Sequence, residues 1–155
     1  MCGLVGIAST RYIKNKEWLA NGALALAHRG PDGRGEWWSS NGCVGLAHRR
    51  LAIIDLSEDA HQPMHDASGN YTVIFNGEIY NYIEIRNELT SKGYTFETES
   101  DTEVLIKSFI EYGQECVNKF NGMWSFIIWD NKLKSIFISN DRFGVKPLYV
   151  YKSLD

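Results

Sequence analysis

The sequence predicts an α+β domain whose strands form mainly antiparallel sheets stacked as a layered sandwich. Three observations carry this expectation. Hairpin-linked strands follow one another with few intervening helices, which argues against a doubly wound parallel sheet. Residues 123–129 (Met-Trp-Ser-Phe-Ile-Ile-Trp) are apolar on both faces of the strand they would form, so that strand must be covered on both sides. The 155 residues are 44% hydrophobic, with 14 Gly against 3 Pro, which is enough for one domain with a buried core and unlike a disordered chain.

The elements follow from local pattern. Residues 3–9 are a short apolar run of β-type residues and read as a buried strand near the start of the chain. Residues 15–27 read as a helix, because Trp18, Leu19, Gly22, Ala23 and Leu26 recur at helical spacing. A polar Gly/Pro loop over 28–35 leads to a strand over 43–51, then to a long loop through Asp55, Gln62 and Pro63. Residues 70–76 alternate as a strand with Tyr71, Val73 and Phe75 on one face. A helix over 82–92 takes Asn81 as cap, Tyr82, Ile85 and Leu89 as its apolar face, and Gly93 as its stop. Ser100-Asp101-Thr102-Glu103 is a capping box that opens a second helix, with Val104, Leu105, Phe109 and Tyr112 inward and Gly113 at its end. Strands over 123–129 and 135–139 flank a polar loop as a hairpin, and 148–151 reads as a last short strand.

Composition also removes whole classes of function. The chain carries 16 Lys+Arg against 19 Asp+Glu, a formal charge of -3, with no basic block to neutralise phosphates, so nucleic acid is not an expected partner. No apolar run approaches the roughly 18 residues of a membrane helix, and the first residues do not read as a signal peptide. Three cysteines (Cys2, Cys43, Cys116) form no disulfide framework and suit a reducing cytoplasm. His61 and His65 stand at a metal-like interval, but Pro63 between them breaks the helix that would align the rings, so no metal site is expected. Gly30, Gly33 and Gly35 lack the ending of a phosphate loop. Cys43 and Cys116 read as small core residues.

The chemistry begins at residue two. A small residue after Met1 permits removal of the methionine, which would leave Cys2 with a thiol and an α-amine on one residue. Their ordinary pKa values, about 8.5 and roughly 7.7–8.0, make proton transfer between them cost only on the order of 1 kcal/mol. Such a residue is a nucleophile with its own base. The dipeptide alone reads more simply as a small residue at a common place for one, and Gly3, which allows close backbone approach, adds some weight to the nucleophile.

Met1-Cys2-Gly3-Leu4-Val5-Gly6-Ile7 resembles the start of the class II glutamine amidotransferases, which are N-terminal-nucleophile (Ntn) hydrolases. Further segments agree in order: HRGPD at 28–32, GLAHRRLAIID at 45–55, QPM at 62–64, FNGEIYNY at 75–82, SDTE at 100–103, NGMWSF at 121–126 and DRFGVKPLY at 141–149. The set covers essentially the whole chain, 1–155, as one glutaminase domain. It is most similar to the glutaminase half of glutamine-hydrolysing asparagine synthetase.

The resemblance implies a four-layer αββα sandwich and hydrolysis of L-glutamine to glutamate and ammonia. It makes the Cys2 thiolate the nucleophile, with its α-amine as general base. The Asn76 side chain and the Gly77 N–H become the oxyanion donors. Arg50 would hold the substrate α-carboxylate, and Glu78 and Asp101 its α-ammonium, with main-chain groups of Leu51 and Ile53 lining the pocket. Read alone, Arg49-Arg50 is a solvated pair, Asp101 a favourable acid at a helix start, and Asn76-Gly77 a hairpin turn. His28, Arg29 and Asp32 read as a loop over the pocket or a structural turn.

The family's second domain, which uses ATP and Mg to activate aspartate, has no counterpart here, so no cofactor is expected in this chain. The expected partner is a synthetase domain in cis or in trans, and a homodimer stays open. Ammonia delivery to another acceptor, or glutamine binding without catalysis, are the alternative functions. Past the KPLY segment the family continues into further strands, whereas this chain reads Lys152-Ser153-Leu154-Asp155. The sandwich is therefore expected to be cut short, with one sheet edge unpaired.

Overall fold

The structure, a computed structural model, describes residues 2–52 and 57–153. Strands β1 (Gly3–Ala8), β2 (Gly33–Trp38) and β3 (Val44–Arg50) form one antiparallel sheet in the order β1-β3-β2. Strands β4 (Met64–His65), β5 (Tyr71–Ile79), β6 (Gly122–Asp130) and β7 (Ser135–Asn140) form a second antiparallel sheet in the order β4-β5-β6-β7. Helix α1 (Glu17–Ala25) precedes β2, and α2 (Tyr82–Ser91) and α3 (Asp101–Tyr112) lie between β5 and β6. Among the described residues no helix is long and apolar enough to cross a membrane.

Side-chain alternation in the strands builds four layers. On β3, Ala47 faces α1 and packs with Leu19 and Ala23, while Val44 and Leu46 face the second sheet and meet Ile74, Ile127 and Trp129. On β5, Val73, Phe75 and Ile79 face the other way, into a core shared with Leu89 of α2 and Val104, Leu105 and Ile106 of α3. The order is helix, sheet, sheet, helices, the αββα sandwich that the sequence implied. The apolar strand over 123–129 is covered on both faces, as its composition demanded, because β6 lies between the first sheet and the helical layer.

The capping box forms at one end as expected: the Ser100 hydroxyl accepts the Glu103 N–H. The Glu103 carboxylate turns instead to the N–H groups of Glu97 and Thr98. Gly113 closes α3 with φ +59°.

Several boundaries differ from the sequence reading. The strand at 3–9 is half-buried over most of its length, because β1 is an edge strand bordering a cavity. The loop over 28–35 contains the start of β2, whose Gly-rich beginning masks its strand character. The helix predicted over 15–27 is shorter, and Trp18 is exposed on it. Asn81 does not cap α2; its side chain bonds Lys119 O and Asn121 N–H, tying the helix start to the segment before β6. Residues 148–151 are not a strand. Tyr149 and Tyr151 are exposed, Pro147 offers no N–H, and alternation without a neighbouring edge makes no ladder. A two-residue β4 and the 3-10 turn Gly113–Lys119 were not foreseen.

Leu89 is completely buried between α2 and the second sheet. Leu89→Ala should therefore lower unfolding free energy by about 2–5 kcal/mol, read as a drop in the urea midpoint at unchanged slope.

Candidate active site

The face of β3 that carries Val44 and Leu46 toward the second sheet also carries His48 and Arg50. On β5 the same inter-sheet face carries Ile74, Asn76 and Glu78. Where the sheets part beyond Ile74 and Leu46, these polar residues surround a cavity of about 170 Å³. Cys2, Arg50, Leu51, Asn76, Gly77, Glu78 and Asp101 all line it. Seven of the eight residues singled out from the sequence thus meet in one place. The eighth, Ile53, lies outside the described residues.

Cys2 is placed by its main chain and by its sulfur. The Arg29 Nε–H donates to the Cys2 carbonyl at 3.1 Å. The Leu51 N–H points at the Cys2 sulfur at 3.4 Å, and the thiol hydrogen has the Leu51 carbonyl at 3.6 Å. A Cβ on Gly3 would stand 2.9 Å from the Leu26 Cβ, so only glycine lets β1 settle against the end of the first helical segment. The HRGPD segment acts as a brace here: besides Arg29, the Asp32 carboxylate accepts the Ala52 N–H, and the Asp32 N–H reaches Arg50 O. Arg50 is buried, with Nη1 donating to the Ser57 carbonyl at 2.8 Å, so it is not one of a solvated pair.

Asn76-Gly77 is not a turn. The strand runs on through both residues to Ile79, in register with Ser125 and Trp124 of β6. A Cβ at Gly77 would fall 2.3 Å from Met123 O and 2.6 Å from the Phe75 ring. The glycine is therefore needed for packing on β6, not to clear space for a ligand. In an antiparallel ladder the main-chain groups of alternate residues point to the same edge. The Phe75 N–H goes to Gln62 and the Ile79 N–H to Asp101. The Gly77 N–H between them accordingly points out from the edge, where Gly77 borders the cavity.

Asp101 is the first residue of α3, and its carboxylate accepts the Ile79 N–H at 3.0 Å. Burial pushes its pKa up to about 6; the Ile79 bond works against the rise and the nearby Glu78 charge adds to it. A cation brought into this pocket would favour the ionised carboxylate and so oppose the rise.

The DRFGVKPLY segment turns out to be a knot around Asp141. Its buried carboxylate accepts N–H groups from Phe143, Val145, Lys146 and Trp124. Burial opposes its charge, but these donors outweigh it and hold the carboxyl below its ordinary range. The Lys146 carbonyl is held in turn by the Ser125 hydroxyl and the Asn140 amide. Lys146 is buried and lines the cavity; sequence reasoning passed over it, as it did Gln62, although both lie inside quoted motifs. On the other side of Cys2, a mostly apolar cavity of about 470 Å³ runs between β1 and the strands β6 and β7. Among the described residues no three His, Cys, Asp or Glu side chains stand together as a metal site.

Comparison with known proteins identifies the family to which the chain belongs. The family described as glutamine amidotransferase domain matches residues 1–155. Asparagine synthetase [glutamine-hydrolyzing] 1 of Bacillus subtilis (strain 168) is 42% identical over 153 residues, covering 96% of this chain and 24% of the relative. Asparagine synthetase [glutamine-hydrolyzing] 3 of the same organism is 38% identical over 156 residues, covering 98% of this chain and 25% of the relative. The chain thus spans about a quarter of the length of these relatives. The solved glutamine phosphoribosylpyrophosphate amidotransferase from B. subtilis superposes with a TM-score of 0.74 at 19% identity, over 89% of this chain and 37% of that one, a likeness of fold.

Replacing Asp141 by Asn leaves several buried N–H groups facing an amide, at about 1–3 kcal/mol for a group left unsatisfied. Because the folded pKa of Asp141 is depressed, its contribution is present at neutral pH and is lost as pH falls through the carboxylate range. The stability gap between wild type and Asp141→Asn, measured by denaturant titration, should be widest near pH 7 and shrink toward pH 3.

Proposed function

Because the chain belongs to the glutamine amidotransferase domain family, we propose that it hydrolyses the side-chain amide of L-glutamine with Cys2 as the nucleophile. The observation that carries this reading is the meeting of Cys2, a buried arginine, two acids and an open strand edge around one small cavity. Those groups match the two ends of glutamine and the reaction between them. Arg50 pairs with the α-carboxylate, for which a planar guanidinium is suited. Glu78 and Asp101 take the α-ammonium. Leu51 lines the same cavity, and the family resemblance gives the same part to Ile53, which lies outside the described residues.

The reaction then follows from proton positions. Removal of Met1 frees the Cys2 α-amine, which takes the thiol proton. The sulfur adds to the amide carbon, and the carbonyl electron pair moves to oxygen. That oxyanion sits between the Asn76 amide and the outward Gly77 N–H, donors whose individual loss typically costs about 2.7–4 kcal/mol in the transition state. Collapse expels ammonia, which carries the proton returned by the amine, and leaves a thioester. Water, deprotonated by the same amine, releases glutamate. The ammonia serves ATP-dependent formation of asparagine from aspartate by a synthetase part of the kind the relatives' names describe, and ATP and Mg²⁺ act there.

The decisive experiment is ammonia release from glutamine by wild type and Cys2→Ala, with the intact mass of each preparation. Release should vanish in Cys2→Ala and scale with the fraction of chains lacking Met1. Equal turnover by both versions, or full activity from chains that retain Met1, would falsify the mechanism.

Asp101 gives glutamine binding a pH dependence of defined sign. Below about pH 6 its carboxyl is protonated in the free protein and must lose that proton to meet an ammonium. Affinity for glutamine in the Cys2→Ala chain should weaken as pH falls below 6, by up to tenfold per unit, and level off above it. Calorimetry in buffers of different ionisation enthalpy should record proton release near pH 6. Asp101→Asn should bind more weakly at pH 7 and lose this dependence.

A further inference from the structure

Strand β5 loses its outer neighbour early. The two residues of β4 pair with Val73 and Thr72, and β5 continues to Ile79 with no strand beside it on that side among the described residues. The outward main-chain groups of residue 75 are nevertheless both satisfied, by side chains from two different parts of the fold. The Gln62 Oε1 accepts the Phe75 N–H at 2.6 Å, and the His48 ring Nε2 lies 3.0 Å from the Phe75 carbonyl. A carbonyl only accepts, so Nε2 carries the hydrogen. The Gln62 amide is oriented by its other end, which donates to the Thr102 hydroxyl at 3.2 Å. Both side chains are buried, and His48 Nδ1 has no partner among the described residues. Burial lowers the His48 pKa to about 4, against the pull of the Phe75 carbonyl and with help from the Arg50 and His61 charges, so the ring stays neutral.

This arrangement grips one peptide residue from both sides, immediately before Asn76. His48 reaches it from β3, two residues ahead of Arg50; Gln62 links it to the first turn of α3, beside Asp101. We infer that His48 and Gln62 are positioning residues for the oxyanion donors: they replace the missing strand at Phe75 and thereby fix the aim of the Asn76 amide and the Gly77 N–H. The inference rests on the proposed role of Asn76 and Gly77. Without the grip, the Phe75 peptide would turn to find other partners, and the next two residues would turn with it. Arg50, Glu78 and Asp101 would still bind the ends of glutamine.

The test separates binding from transition-state stabilisation. Gln62→Met and His48→Met remove the grip; Gln62→Glu keeps an acceptor and His48→Gln keeps a donor near the Nε2 position. Each is assayed for kcat and KM with glutamine, for thermal unfolding, and for inhibition by the aldehyde analogue glutamate γ-semialdehyde. With the aldehyde, the Cys2 sulfur bonds the carbonyl carbon, the π pair moves to oxygen, and the thiol proton goes to the α-amine, so the adduct needs the same donors. Both methionine variants should lose tenfold or more in kcat with KM changed less than threefold, and aldehyde affinity should fall in parallel. The conservative variants should recover most of the loss, and they carry the test if the methionine variants do not fold. In an Asn76→Ala background the same substitutions should add little. Unchanged kcat, equal losses in both KM and kcat, or a kcat loss that leaves aldehyde affinity intact would overturn the inference. Asn76→Ala with wild-type turnover would instead overturn the oxyanion reading on which it rests.

Discussion

A strand buried on both faces can satisfy its main-chain donors and acceptors only through its two edges. β5 is such a strand, with Ile74 in the layer between the sheets and Val73, Phe75 and Ile79 in the helical core. One edge is filled along its whole length by β6. The other is filled by β4 for two residues, then by the side chains of Gln62 and His48 at Phe75, and by the carboxylate of Asp101 at Ile79. The gap left at Gly77 lies in the wall of the cavity that holds Cys2. The pocket is the place where a buried sheet leaves one donor row open.

The rest of the site is arranged around that gap by segments far apart in the chain. Cys2 hangs from the start of β1, braced by Arg29 and by Leu51, which stands 49 residues later. Arg50 is presented by the central strand of the first sheet, and Asp101 by a helix N-terminus whose cap is Ser100. The knot around Asp141 holds Lys146 in the same wall. The contacts that brace Cys2 join segments far apart in the chain, so the geometry exists only once distant segments have come together. Catalysis by preorganised donors requires this kind of rigidity, because groups fixed by folding need no reorganisation when charge develops. The superposition on a phosphoribosylpyrophosphate amidotransferase at 19% identity is a likeness of fold.

The residues that line the cavity were more legible in the sequence than some of the fold. Cys2, Arg50, Asn76, Gly77, Glu78 and Asp101 could be named because short motifs carried them together with a family resemblance, and all of them border one cavity. Gln62 and Lys146 lay inside quoted motifs and went unread, since a buried glutamine or lysine has no periodic signature. Asn76-Gly77 shows how a strong local signal can mislead. The dipeptide favours a hairpin, yet packing against Met123 and Trp124 draws it into a continuous strand. Asn81 is the converse, a good cap by pattern that gains two partners across the fold instead.

Composition and hydrophobic spacing by themselves determined the class of fold, the capping box of α3, the amphipathic face of α2 and the need to cover the strand over 123–129 on both sides. These features depend on neighbours within a few residues, or on the transfer of apolar surface from water, which is indifferent to the partner. Tertiary structure alone decided that residues 33–38 pair as β2, that 148–151 form no strand among the described residues, and that Gly77 is required by the backbone of β6. It also decided which polar side chains close the open edge of β5. Hydrogen bonds are directional and short, so which groups complete them depends on where distant segments arrive, and no local pattern encodes that arrival.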